Sequence, residues 1–207
     1  MEVGAGIGTV AELLLLKAAP QALLLIEPDS ENIAELRRRF GNDDRVVVRH
    51  GYLEDADQSF SADTIVAVNV LEHVERPPEF LHAVSRNLVP GGALLLLVPA
   101  VPALYSSLDR AFDHYRRYTR SGLSKELLTA GLDIDRLHYL NFVGVAAWFA
   151  AGHILRRTTL GRTQVRLYDR LVIPWLRRLE SLVHPPIGQS LLAIARKPET
   201  QARRCKS

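Results

Sequence analysis

Apolar residues along this chain gather in short unbroken runs, and stretches with helical spacing separate them. Runs at 22–26, 46–48, 64–68, 93–98, 134–140 and 190–195 predict strands. The run at 22–26, closed by Glu27-Pro28, is apolar on both faces, as a parallel strand covered by helices must be. Between the runs, residues 10–19 predict one helix, and Asp29 or Ser30 caps a second. Its Ile33, Leu36 and Phe40 share one side while Arg37, Arg38 and Arg39 mostly face water. Pro77-Pro78 opens a third helix with Phe80, Leu81, Val84 and Leu88 inward, and a fourth at 121–130 stops at Gly131. Pro90-Gly91-Gly92 predicts a turn into the strand at 93–98.

Strand and helix repeating at this spacing predict right-handed crossovers. The expected fold is an α/β, Rossmann-like, doubly wound and mostly parallel sheet of seven strands, in a single domain over 1–207. Before the last strand, residues 141–189 predict a helical insertion or lid with helices at 145–156 and 164–183, and residues 198–207 a polar tail. The first strand is expected to be truncated. Only Met1, Glu2 and Val3 precede Gly4, where a central strand holds about five or six residues.

The candidate chemistry starts at Glu2-Val3-Gly4-Ala5-Gly6-Ile7-Gly8-Thr9, where a strand end meets a glycine turn and then a helix. Glycines let the backbone approach a ligand closely, and the helix start offers unpaired N–H groups. The spacing is G-x-G-x-G; a dinucleotide fingerprint would need glycine where Thr9 stands. Glu27 follows the turn by about 20 residues, the distance at which an acid in such folds bonds ribose hydroxyls. The loop at 50–55 and Asn69 follow later strands and open on the same sheet edge, since parallel strands present their carboxyl ends together.

Composition narrows the classes. With 207 residues and 47% hydrophobic content, the chain supports one well-buried domain. Cys205 is the single cysteine, which excludes an internal disulfide framework and suits a reducing, cytoplasmic setting. The opening lacks the basic segment and apolar run of a secretory leader. The longest apolar stretch, 142–155, is broken by Gly144, Gly152 and His153 and is shorter than the roughly 20 residues of a spanning helix. Net charge is +3, but beyond Leu155 arginines outnumber Asp169, Glu180 and Glu199. That surplus is either a solvated basic face or an attraction to an anionic or lipid- or carrier-linked acceptor, with peripheral membrane contact. No zinc-ligand spacing appears, and nothing beyond this charge supports nucleic-acid binding.

Glu2 to Thr9, Glu27, Asn69-Val70-Leu71-Glu72-His73-Val74 and Pro90-Gly91-Gly92 resemble the class I S-adenosylmethionine-dependent methyltransferases over nearly the whole chain. Residues 102–119, with His114-Tyr115-Arg116-Arg117-Tyr118-Thr119, and Pro185-Pro186-Ile187-Gly188-Gln189-Ser190 are similar to a bacterial subgroup of them. The resemblance implies S-adenosyl-L-methionine as cofactor. It implies that Glu2, Gly4, Ala5, Gly6, Gly8 and Thr9 hold the methionine end, and that Glu27, beside Pro28, takes the ribose hydroxyls. It further implies that Gly51, Tyr52 and Leu53 line the adenine and that Asn69, Val70 and Leu71 pass beneath the sulfonium. Tyr52 departs from the family, which commonly has aspartate there to accept from the adenine amino group. Either Glu54 or Asp55 takes that contact, or the Tyr52 ring stacks on adenine. Family members also carry an N-terminal helical segment, so an N-terminally short member is expected.

Methyl transfer from a sulfonium is an in-line displacement, and a general base is needed only for a hydroxyl or a protonated amine. His73 is a candidate base or acceptor-orienting group, or else a capping or packing residue. His114, among Asp109, Tyr105, Tyr115 and Tyr118, is a catalytic or substrate-contacting candidate, or a brace for its loop. Arg116 and Arg117 either clamp a phosphate or carboxylate or pair with Asp109 or Asp113. The three tyrosines offer aromatic faces or simply pack. Trp148 and Phe149, with Arg156 and Arg157 beyond them, suggest an apolar lid face or core packing. The expected activity is methylation of a small molecule, at oxygen before nitrogen. A non-catalytic S-adenosylmethionine-binding remnant or partner subunit is one rival. A nicotinamide-dependent oxidoreductase is the other, disfavoured by Thr9 and by the lack of a serine–tyrosine–lysine set.

Overall fold

The structure, a computed structural model, describes residues 1–55, 61–155, 159 and 185–199. Seven strands form one sheet: β1 (Glu2–Val3), β2 (Leu23–Glu27), β3 (Val46–His50), β4 (Ala62–Val68), β5 (Leu88–Pro99), β6 (Asp133–Leu140) and β7 (Ser190–Arg196). Their order is β3-β2-β1-β4-β5-β7-β6. The pairs among β1 to β5 are parallel, and β7 runs antiparallel to both β5 and β6. Alternation alone does not encode that reversal, because the strand pattern reads the same in both directions.

The sheet is covered on both faces. On one side Leu23 and Leu25 pack with Ala11 of α1 (Thr9–Lys17) and with Ile33, Leu36 and Phe40 of α2 (Ser30–Phe40). On the other, Ile65, Leu94 and Leu96 pack with Phe80, Leu81 and Val84 of α3 (Pro77–Asn87). Two further helices follow on this part of the chain, α4 (Ser107–Ala111) and α5 (Arg120–Thr129), and Leu123 and Leu127 of α5 join this second core. Each fully buried leucine or isoleucine contributes about 1.5–3 kcal/mol.

Local chemistry sets the helix ends. Gly8 starts α1 with φ +84, and a Cβ there would collide with Phe40 and Leu36 of α2. The helix ends at Lys17, short of the expected 19, because the Ala18 and Ala19 amides both turn back to the Leu14 carbonyl and Ala19 takes φ +43. In α2 the Asp29 carboxylate accepts from the Asn32 amide at 2.8 Å.

Two expectations are corrected. Pro90-Gly91-Gly92 lies inside β5 instead of forming a turn before it, and Leu88 is its first strand residue, not a helical one. Leu88 pairs with Ala62 across a register shift, and Gly91, at φ +78, donates its amide to the Lys197 carbonyl at 2.9 Å. Ladder pairing on both sides thus holds an irregular, bulge-like segment in the sheet. The insertion's first helix, α6 (Phe142–Phe149), starts three residues earlier than the expected Val145 and widens to a π turn at Ala150–Ile154. The early start comes from Asn141, whose side chain accepts from the Gly144 amide at 3.0 Å. The widened turn sets Gly152 against Ser106 with no room for a Cβ, and the Ser107 hydroxyl donates to the Gly152 carbonyl at 3.2 Å. Residues 164–183, Arg156, Arg157, Cys205 and the tail beyond Glu199 lie outside the described residues. Among the described residues no helix is long and apolar enough to cross a membrane.

Candidate functional site

The sheet order reverses at β1, which lies between β2 and β4. Crevices in doubly wound sheets open at the carboxyl ends of the strands at such a point. A cleft of about 690 Å³ occupies it, within the range of small-ligand sites. Gly4 and Gly6 of the turn, Glu27 and Pro28 after β2, Gly51, Tyr52 and Leu53 after β3, and Asn69 and Val70 after β4 all line it. Gly6 and Gly51 have no atom within 4 Å of where a Cβ would stand, so bare backbone faces the ligand space there. A nucleoside-like ligand fits this wall: a backbone surface on one side and the buried Glu27 carboxylate on the other.

That acid is already engaged. Glu27 is 5% exposed and accepts from the Gly6 amide at 2.7 Å, the Asp29 amide at 3.0 Å and the Asn32 side-chain amide at 3.4 Å. A carboxylate offers about four acceptor positions, so one is left for a sugar hydroxyl. Glu27 therefore shapes the glycine turn as well as facing the ligand space. Tyr52 sits at the rim, 61% exposed, with Glu54 also on the lining.

Not every expected cofactor residue borders the cleft. Ala5 and Leu71 are buried in the two cores, Gly8 faces Phe40, and Thr9 opens α1. Glu2 is buried at 3% exposure. Burial pushes its carboxyl up to about 7; the Met1 ammonium pulls it down and Glu27 pushes it further up.

A second cavity of about 350 Å³ adjoins the first, and the two share Asn69, His73 and Phe112. Pro99, His114, Arg117, Trp148, Gln189 and Ser190 complete its lining. Behind it lies Asp109, which is fully buried. Its carboxylate accepts from five groups: the Ser106 amide at 2.9 Å and hydroxyl at 3.3 Å, His114 Nδ1 at 3.0 Å, Arg117 Nε at 2.7 Å and Trp148 Nε1 at 3.2 Å. Burial alone would push Asp109 up, but the His114 and Arg117 hydrogen bonds outweigh it and hold the carboxyl at about 2. An ionised Asp109 fixes His114 Nδ1 as a donor and leaves the neutral ring's Nε2 as an acceptor.

The His73 and His114 rings meet edge to face with centroids 4.8 Å apart. Burial lowers the His73 pKa and His114 lowers it further, against an opposing pull from Asp113. Glu72, next to His73 in the chain, is fully buried, and among the described residues neither carboxylate oxygen is hydrogen-bonded. Burial pushes its carboxyl up to about 7 despite its own amide, His114 and Arg117.

Neither cavity's lining includes Tyr105, Tyr115, Arg116 or Tyr118. Tyr105 donates to the His114 carbonyl at 2.8 Å, and Tyr118, buried, donates to the Leu71 carbonyl at 3.3 Å. Tyr115 is 57% exposed under the Arg116 guanidinium, which donates to the Glu75 carbonyl at 2.9 Å. These residues brace the segment that carries His114. Phe112 and Glu72 were not singled out from the sequence, and neither was α4, whose signal is the capping-box spacing of Ser106-Ser107-Leu108-Asp109.

Two opposite pH dependences follow. Glu2 and Glu72 hold their protons in the folded chain up to about pH 7, whereas the unfolded chain releases them near 4.5. The folded state binds more protons across that window, so stability falls as pH rises through it. Asp109 works the other way: its support is present above the unfolded value of 3.8 and is lost as pH falls toward 2. The urea midpoint is expected to drop between about pH 5 and pH 8, and Glu72→Gln to remove part of that drop. A midpoint rising over this window contradicts two protonated buried carboxyls.

A methyltransferase-domain family model matches residues 1–94. A probable S-adenosylmethionine-dependent methyltransferase of Mycolicibacterium smegmatis is 29% identical over 150 residues, covering 70% of this chain and 56% of the relative. The chain thus spans little more than half of that relative's length. A ubiquinone biosynthesis O-methyltransferase of Xanthomonas oryzae pv. oryzae is 26% identical over 189 residues, covering 85% of this chain and 73% of the relative. Among solved structures, an S-adenosylmethionine-dependent methyltransferase from Mesorhizobium loti superposes with a TM-score of 0.63 at 13% identity, covering 94% of this chain and 88% of that one. Phosphoethanolamine N-methyltransferase 2 of Haemonchus contortus, in complex with S-adenosyl-L-methionine, gives 0.62 at 16% identity, covering 96% and 48%. Sheet order, strand-end cleft and sequence relatives agree: over residues 1–94 the chain matches a methyltransferase domain, and its fold is that of the S-adenosylmethionine-dependent methyltransferases it resembles.

Proposed function

We propose that the chain methylates a hydroxyl oxygen of a small-molecule acceptor seated in the second cavity. The observation that carries this reading is the junction of the two cavities at His73, with the acceptor nitrogen of His114 beside it. S-adenosylmethionine, when bound, supplies a methyl group on a positively charged sulfur. The backbone of Gly4 and Gly6, together with Glu27, would hold it in the larger cleft. The chain's own task is to align the acceptor, exclude water and remove one proton. His114, oriented by Asp109, is the group suited to the last, and His73 shares the position.

Two features favour a neutral hydroxyl over an anionic acceptor. The Arg117 charge is matched by Asp109, and its Nη1 donates to the Ala100 carbonyl at 3.0 Å. Phe112 and Trp148 then present aromatic surface on the same wall. The Xanthomonas relative is named an O-methyltransferase, which supports oxygen before nitrogen.

The test is product analysis after incubation with S-adenosylmethionine and a panel of phenols, sugars and amines, alongside calorimetric titration with S-adenosylhomocysteine and with NADH. Methylated hydroxyl products are expected, with binding of the first ligand and not the second. Products methylated only at nitrogen, or binding of NADH alone, would overturn the reading. Glu27→Ala is expected to weaken S-adenosylhomocysteine binding by about 1–3 kcal/mol, because it removes a sugar contact and leaves the Gly6 amide unpaired. Unchanged affinity would place the ligand elsewhere.

A further inference from the structure

Behind the junction, the burial of Glu72 is not explained by the bracing of the loop. It sits in the 3₁₀ turn Leu71–His73 directly after Asn69 and Val70, where the two cavities meet. It is fully buried, yet among the described residues neither carboxylate oxygen has a hydrogen-bond partner. A buried carboxylate without partners is costly, and a fold that needed only packing there would be better served by leucine. The groups facing it are chemical: one ligand-type atom each from Glu72, His73 and His114 lies within 4.8 Å of the others. The charged or titratable groups acting on it are His114, Arg117 and Asp109, and it acts in turn on the Tyr118 phenol.

Resting on the methyl-transfer reading, we propose that Glu72 is a positioning residue whose carboxylate is the charge partner of the His73–His114 pair, letting that pair take up the proton released by the acceptor. The step balances as follows. The acceptor hydroxyl gives its proton to an imidazole nitrogen while its oxygen forms the new bond to the methyl carbon, and the electron pair of the breaking C–S bond stays on sulfur. One positive charge leaves the sulfonium and one appears on an imidazole. That imidazolium would form beside Arg117, in a pocket whose Asp109 is already divided between Arg117 and His114. A second negative charge at a few ångströms offsets it: Asp113, on the lining of the larger cleft, acts on His73, and Glu72 is the buried carboxylate within 4.8 Å of both imidazoles. Its carboxyl, pushed up to about 7 by burial, can change charge near neutrality, so its ionisation can couple to proton uptake by the pair.

The experiment is an NMR titration of the His73 and His114 ring resonances in the S-adenosylhomocysteine complex of the wild type, Glu72→Gln and Glu72→Asp, with pH–rate profiles on a hydroxyl acceptor in parallel. Glu72→Gln keeps the shape but not the charge. It is expected to lower the apparent pKa of the histidine pair by about one unit and kcat by about tenfold, with S-adenosylhomocysteine affinity unchanged. Glu72→Asp, which keeps the charge, is expected to restore most of both; it also serves if the glutamine variant does not fold. Histidine titrations identical in wild type and Glu72→Gln overturn the proposal, whatever the change in kcat. So does a wild-type titration that responds to Mg²⁺ or Mn²⁺ and loses the response in Glu72→Gln, since the cluster would then hold a cation. Coupled titrations in a wild type that methylates no hydroxyl would instead sink the methyl-transfer reading while leaving the Glu72–histidine coupling intact.

Discussion

Asp109→Ala is expected to lower the free energy of unfolding by about 3–5 kcal/mol, the cost of removing one partner from a buried ion pair. The carboxylate is the shared acceptor of five donors drawn from three parts of the chain: Ser106 at the start of α4, His114 and Arg117 in the segment after it, and Trp148 in α6. Its loss leaves the Arg117 guanidinium, whose side chain is 1% exposed, stacked on Trp148 with no counter-charge. It also frees the Ser106 amide, so the capping box of α4 opens. Urea unfolding followed by circular dichroism measures the loss. Asp109→Asn, which keeps an acceptor oxygen but not the charge, should lose less. Replacing both partners with apolar residues, Asp109→Leu with Arg117→Met, should regain part of what Asp109→Ala loses. A single Asp109→Ala variant within about 1 kcal/mol of wild type would mean that the hub is peripheral to the fold.

The strand and helix alternation was legible because the central parallel strands are apolar where helices cover them and each helix is apolar on one side. Leu25, Ile26, Leu94 and Leu96 are fully buried, and the arginines at one end of α2 are not. Illegible were features set by pairing partners far along the chain. The β5 segment at Pro90 to Gly92 has turn chemistry locally, but Ala62 on one side and Lys197 on the other keep it in the sheet. Likewise α6 starts at Phe142 because Asn141 adopts φ +60 and caps it, a conformation asparagine tolerates but does not advertise.

The same division runs through the site. The larger cleft could be anticipated because strand ends converge by topology, so Gly4, Gly6, Glu27, Gly51 and Asn69 meet whatever the loops do. The smaller cavity could not, since it depends on contacts such as Trp148 with Asp109 across 39 residues of sequence. Tyrosines that share a segment with His114 were natural substrate candidates by proximity. The hydroxyls of Tyr105 and Tyr118 donate to the backbone carbonyls of His114 and Leu71, while Tyr115 is 57% exposed. Glu72 gave no signal of its own, because only three dimensions reveal that a charged residue between Leu71 and His73 points inward.

His114→Asn is expected to lower kcat by about 10²–10⁴-fold on a hydroxyl acceptor while leaving S-adenosylhomocysteine affinity and stability close to wild type. The asparagine amide nitrogen can take the place of Nδ1 against Asp109, so the brace survives. What disappears is Nε2, the acceptor nitrogen that an ionised Asp109 leaves facing the smaller cavity. His114 does not line the larger cleft, so ligand binding there should be indifferent to the change. His73 lines both cavities, and His73→Asn should therefore disturb kcat and ligand affinity together. This split separates a proton acceptor from a brace: a bracing role predicts a loss of stability in His114→Asn with little change in turnover of the folded fraction. Single-turnover rates at saturating acceptor, measured beside urea midpoints, distinguish the two. A kcat within about threefold of wild type would remove His114 from the chemistry and leave the proton to His73 or to water.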